Sequence, residues 1–225
     1  FRYPERPIVW VSASHLLFAG AHLLRVWLGP QAAGCAVGDP AGQQVYRVSR
    51  HAGHWCAVIF LLVYFAPLAG CLWWLLLTVC WYLCAARKWA HEAIQQRSVW
   101  LHLLAWGAPL LLSVSLLVLH RVKADELTHL CVVDPTDRVN IIAFVISPTA
   151  ACLAIGLGFL TSALCSSASV RHSLKWSGNE GFRRLEKLMT KICLLSFLFV
   201  LPTGCVLAVS LYELAERDKW IASLE

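Results

Sequence analysis

Ten cysteines and nine histidines are the side chains of this 225-residue chain best suited to holding a metal or attacking a substrate. Cys80 and Cys84 stand one helical turn apart, but a closed zinc site takes about four ligands, and no second pair lies near them. His51 and His54 offer two ligands and no third. His15 and His22 share a helix face with Ser12 and Ser14 nearby, where buried, hydrogen-bonded roles are the expectation. Gly156 and Gly158 form a lone G-x-G, which reads as a place where helices approach closely rather than as a nucleotide loop. No Gly-x-Ser-x-Gly or His-Glu-x-x-His string occurs. These residues point to no catalytic group, no metal and no cofactor. What remains is electrostatic and covalent: Arg183, Lys187 and Lys191, spaced four apart in one stripe, and the cysteines as disulfide partners or packing groups.

The elements that must position these groups are five apolar stretches, about 8–28, 56–86, 98–119, 141–170 and 192–212. Crossing the hydrocarbon core of a bilayer takes about 20 mostly apolar residues, and each stretch reaches that length. The second runs without one Asp, Glu, Lys or Arg, so it has no face to offer water. Lipid cannot satisfy an open strand edge, so the spans are expected to be helices, and the fold class all-α: a multi-pass transmembrane bundle. The chain is 59% hydrophobic and 14% charged, whereas an average soluble domain is about 25% charged. Eleven Trp and five Tyr suggest rings at the membrane–water boundary. Pro67, Pro109, Pro148 and Pro202 lie in or near spans, where each removes a backbone donor. No charged-then-apolar leader opens the chain, and Phe1 reads as an internal residue of a longer protein.

The net charge of +6 suggests no nucleic-acid partner once its distribution is followed. The N-terminus and the connectors at 87–97 and 170–191 carry eleven of the nineteen bases and four of the thirteen acids. The alternate connectors hold slightly more acids than bases. Lysine and arginine bias sets orientation, so the N-terminus is expected in the cytoplasm and the C-terminus outside. Arg25, near the outer end of the first span, can snorkel to the headgroups. Cys71, Cys80, Cys84, Cys152, Cys165, Cys193 and Cys205 then lie in the spans and read as small packing residues. Cys35, Cys56 and Cys131 lie outside, in an oxidising compartment. Three thiols close at most one pair; joining Cys56 to Cys131 would staple an outer connector to the bundle and leave Cys35 over. Phe182–Lys191 reads as helix running into the fifth span, with its basic stripe on one face and Leu185, Leu188, Met189 and Ile192 off it. That stripe suits membrane lipids, a cytoplasmic partner, or both.

Several strings add up in order and spacing: Phe1-Arg2-Tyr3-Pro4-Glu5-Arg6-Pro7, Trp73-Trp74 with Trp81, Lys88-Trp89-Ala90-His91-Glu92-Ala93-Ile94, Asp125-Glu126-Leu127-Thr128 before Cys131, Leu185-Glu186-Lys187-Leu188-Met189, Pro202, and Tyr212-Glu213. Together they resemble the Frizzled family of seven-helix receptors, more than its Smoothened branch, over essentially the whole chain. The resemblance implies that the spans are helices two to six, with the extracellular cysteine-rich domain, helices one and seven and the tail lying elsewhere. It implies a plasma-membrane receptor for Wnt ligand, bound through a domain outside this chain, that signals to Dishevelled at its cytoplasmic loops. It pairs Cys56 with Cys131 and matches Cys35 to a cysteine bonded to the extracellular linker. It matches Lys191 to a basic switch residue whose Trp partner lies beyond this chain, and Pro202 to a helix kink. It matches Lys88, Trp89, His91, Glu92, Arg183 and Lys187 to partner-docking loops. Where the family commonly carries Gly, this chain has Ala90, Asp134 and Cys193; it has Lys191 where Arg is commoner, and His15 and His22 where Tyr is common. Two other readings are a truncated, non-signalling or decoy isoform, and a membrane transporter or enzyme. Against the latter, the spans carry no Asp or Glu before Tyr212.

Overall fold

A computed structural model describes residues 6–28, 35–37, 46–48, 54–124, 130–134, 137–174 and 180–222. Its helices are α1 (Arg6–Leu28), α2 (His54–Ala85), α3 (His91–Gln96), α4 (Ser98–Val118), α5 (Arg138–Asn140), α6 (Ser147–Leu174) and α7 (Glu180–Ala222). Among the described residues, five helical stretches are long and apolar enough to cross a membrane: Arg6–Leu28, Trp55–Ala85, Ser98–Val118, Arg138–Ser169 and Lys187–Glu216. The fold is an all-α, multi-pass helical one. α7 is continuous through 43 residues, roughly 65 Å at 1.5 Å per residue, so it is about twice as long as a hydrocarbon core is thick.

Two features go beyond the sequence reading. The connectors hold two short antiparallel ladders, β1 (Cys35–Val37) with β2 (Tyr46–Val48), and β3 (Val122–Ala124) with β4 (Cys131–Val133). In the second, Val122 faces Val133 and Ala124 faces Cys131. The fourth span begins with a π-helical turn at Ile141–Ile146 before α6.

The chain divides into two compact units. The first comprises Phe1–Ile8, Cys71–Leu101 and Thr149–Glu225. Its core is aromatic: Trp73, Trp74 and Trp81 of α2 are fully buried. Trp74 donates its indole N–H to Ser196 Oγ at 3.2 Å and stacks on Phe199, both on α7. Across from it on α6 stands Gly156, where a Cβ would come within 2.7 Å of Trp74 Cη2. The missing side chain therefore lets the ring lie against the α6 backbone. Ser166 donates to the carbonyl of Ala85 at 3.0 Å, serving one of the end carbonyls that α2 cannot satisfy itself. The three tryptophans correct the expectation that the indoles sit at the membrane boundary. Trp27, Trp55 and Trp100, near helix ends, are the exposed rings that fit it.

The second unit comprises Val9–Gly70 and His102–Pro148. Trp10 of α1 meets His102 and Trp106 of α4 edge-on, and Phe65 of α2 stacks on Trp106. Ser14 is buried and bonds the Trp10 carbonyl. His15 departs from the buried role expected of it: its ring bonds the Val11 carbonyl at 2.8 Å, yet the residue is exposed. Cys56, Phe60, Leu116, Cys131 and Val133 form an apolar cluster, with Tyr64, Val122 and Phe144 packed against it.

Candidate functional site

The residues singled out from sequence fall on two connector features and on a basic stripe of α7. One is the connector after α2. α2 ends at Ala85, and Lys88 takes a left-handed conformation, φ 54°, that reverses the chain. The N–H of Trp89 then returns to the Leu83 carbonyl at 3.1 Å. Ala90 stands at the N-cap of α3 and supplies no side-chain acceptor there. Glu92 lies in the first turn, where the helix dipole favours a carboxylate. Ile94 is buried against Cys80, Leu83, Cys84 and Leu101, which anchors the short helix. Arg97 brings its guanidinium over the Trp89 ring, 5.3 Å from the centroid. The connector thus presents Lys88, exposed Trp89, Glu92 and Arg97 on one small, anchored frame. Sequence reasoning omitted Arg97; its signal was a base and an indole flanking a six-residue helix. The side chain of His91 lies outside the described residues.

The basic stripe is carried by α7. Lys187 and Lys191 are exposed, Leu188 and Met189 are half-buried and Ile192 is fully buried, so apolar and basic positions fall on different faces. Arg183 is on the helix, but its side chain lies outside the described residues, as does that of Leu185. Pro202 is exposed within α7. Its missing N–H leaves the Leu198 position without the usual helical donor.

The second feature surrounds the bond between Cys56 and Cys131, whose Cα atoms are 5.5 Å apart. Cys131 opens β4, and the hairpin is tied further by Lys123 to Asp134 at 2.6 Å and by Arg121 to Asp137 at 2.7 Å. Asp137 also caps the fourth span, accepting from the N–H groups of Val139 and Asn140. Its position just before a helical start was the sequence signal for that role. At this same open end of the hairpin, α4 closes on His120 in a left-handed conformation, φ 52°. There His120 and Arg121 donate to Leu117 and Leu116, the paired bonds of a Schellman cap. The backbone of Cys35 lies in β1, and its side chain lies outside the described residues.

Deeper in this unit, Pro148 has no N–H for the carbonyl four residues before it, that of Phe144. That carbonyl instead accepts the Tyr64 hydroxyl at 2.6 Å. No group of three or more metal-ligating side chains occurs among the described residues. Neither feature assembles a nucleophile with a base. What each presents is fixed charge, joined in the connector after α2 by the Trp89 ring.

Comparison with known proteins agrees with this arrangement. Residues 1–225 match the membrane region of the Frizzled/Smoothened family. The chain is similar to Frizzled-10 of Homo sapiens, 37% identical over 221 residues, and to Frizzled-10 of Gallus gallus, 36% identical over 221 residues. It is also similar to Frizzled-9 of Homo sapiens, 36% identical over 220 residues. Each alignment covers 98% of this chain and 37% of the relative, so the chain spans well under half the length of these receptors. The chain therefore belongs to the Frizzled/Smoothened family and carries membrane region of a Frizzled-type receptor.

Proposed function

We propose that the intact protein receives Wnt ligand through a domain outside this chain and signals to Dishevelled at its cytoplasmic face. The observation that supports this most is the family match across residues 1–225. The docking surface in this reading is the Lys88–Arg97 connector together with the Arg183, Lys187 and Lys191 stripe. The excess of bases on those connectors supports placing them, and the N-terminus, in the cytoplasm of a plasma-membrane protein. The C-terminus and the Cys56–Cys131 hairpin then face outward. Lys191 acts as the switch cation, binding the indole of a Trp on a helix beyond this chain; such a pair contributes roughly 0.5–2 kcal/mol, enough to bias two packings of a helix end. Cys35 serves the extracellular linker.

The test is recruitment of fluorescent Dishevelled to the plasma membrane in cells expressing the intact receptor. Replacing Arg183, Lys187 and Lys191 together by Glu should abolish recruitment while surface expression persists. Undiminished recruitment by that variant would refute the docking role of the stripe.

A further inference from the structure

The first unit buries two thiols that the receptor reading leaves without a role. Cys71 on α2 and Cys152 on α6 are 3% and 6% exposed, neither is in a disulfide, and their side chains are hydrogen-bonded to each other. The helices that carry them are held together at this level. Three residues beyond Cys71 is Trp74, four beyond Cys152 is Gly156, and the ring lies against the glycine. Farther along, Ser166 and Ala85 are joined at a sequence separation of 81, the same as that of the two cysteines. The two helices thus run parallel in constant register, and thiol faces thiol as a consequence of that register. Cys80 and Cys84, by contrast, share one helix.

We propose that Cys71 and Cys152 are a latent disulfide site, closed by an apolar two-electron oxidant of the organic hydroperoxide class, which covalently joins α2 to α6. Apolar surroundings exclude polar oxidants and favour one that dissolves in the bilayer. One thiol gives up its proton, and its sulfur attacks the terminal oxygen of the hydroperoxide. The O–O bond breaks, leaving a sulfenic acid and an alcohol. The second thiol, already in contact, attacks the sulfenic sulfur, and hydroxide departs with the second proton as water. Two thiols lose two electrons and two protons, and the hydroperoxide is reduced to alcohol and water. No separate resolving group is needed, because the neighbouring sulfur fills that role.

The experiment treats membranes containing the intact receptor with cumene hydroperoxide, alkylates remaining thiols after denaturation, and maps them by mass spectrometry. The expected result is a Cys71–Cys152 cross-linked peptide, reversed by phosphine, with a matching several-fold loss of alkylation at both positions. Cys71→Ser and Cys152→Ser should each abolish the cross-link, and Cys80→Ser should leave it intact. The wild-type cross-link is itself diagnostic if a variant does not fold. Full alkylation of both cysteines while the exposed Cys165 and Cys205 are oxidised would overturn the proposal. So would sulfinic acid at Cys71 or Cys152 without the cross-linked peptide.

Discussion

Trp74 concentrates the packing of its unit in a single side chain: its indole nitrogen is bonded, one ring face is stacked, and another side meets a residue with no side chain. Adding a methyl group there forces the ring or a helix to move. Gly156→Ala should therefore destabilise the protein by about 1–3 kcal/mol, seen as a lower midpoint in thermal unfolding in detergent, whereas Gly158→Ala, with open space around it, should not. Tyr64→Phe removes the donor to the Phe144 carbonyl and should cost about 1–3 kcal/mol, since the acceptor stays away from water. The close approach at Gly156 was legible in the sequence, because a small residue in a span has few other uses. The burial of Trp73, Trp74 and Trp81 was not: composition counts indoles without giving their depth. His15 shows the converse. A polar residue in a span was expected to be buried, but bonding its own helix backbone let it stay exposed.

At the scale of elements, helix ends carry the remaining strain. His120 adopts a left-handed conformation that costs a residue with a Cβ about 1–2 kcal/mol, and His120→Gly should recover up to about 1 kcal/mol after glycine's own entropy cost. A raised unfolding midpoint checks this. α3 lacks a side-chain cap at Ala90. Ala90→Ser should stabilise that helix by about 0.5–2 kcal/mol, read as slower amide exchange at Glu92 and Ala93. The existence of five long apolar helices was legible, because apolar length is a local property, but α7 extends about ten residues past each end of the 192–212 stretch. The π turn was not, because the Tyr64 hydroxyl that serves its neighbourhood comes from 80 residues away in sequence. The short ladders were also missed. Three-residue strands have too few positions for alternation to show, and the β3–β4 pairing is fixed beside a disulfide and two ion pairs rather than by its own pattern.

For the whole molecule, the Cys56–Cys131 bond is the longest-range covalent constraint among the described residues, with a sequence separation of 75. Chain-entropy reasoning gives about 4 kcal/mol for a loop of that size; the bilayer already restricts the unfolded helices, so about 2–3 kcal/mol is expected. Reductant should lower the unfolding midpoint of the parent and leave that of the Cys56→Ser/Cys131→Ser double variant unchanged. The receptor class was legible because its strings run along the chain from Phe1 to Glu213, while of the proposed docking residues spacing placed only Lys187 and Lys191 on one face; Arg97 over Trp89 depends on how a loop closes. Everything assigned to the two ends of α2 depends on which side of the membrane each occupies. The most direct measurement is labelling of intact cells with a membrane-impermeant maleimide, comparing Arg87→Cys and Leu119→Cys variants with the parent. Leu119→Cys should add label on intact cells, and Arg87→Cys only after permeabilisation. Added label at position 87 on intact cells, with position 119 protected, would contradict the orientation and the receptor reading built on it.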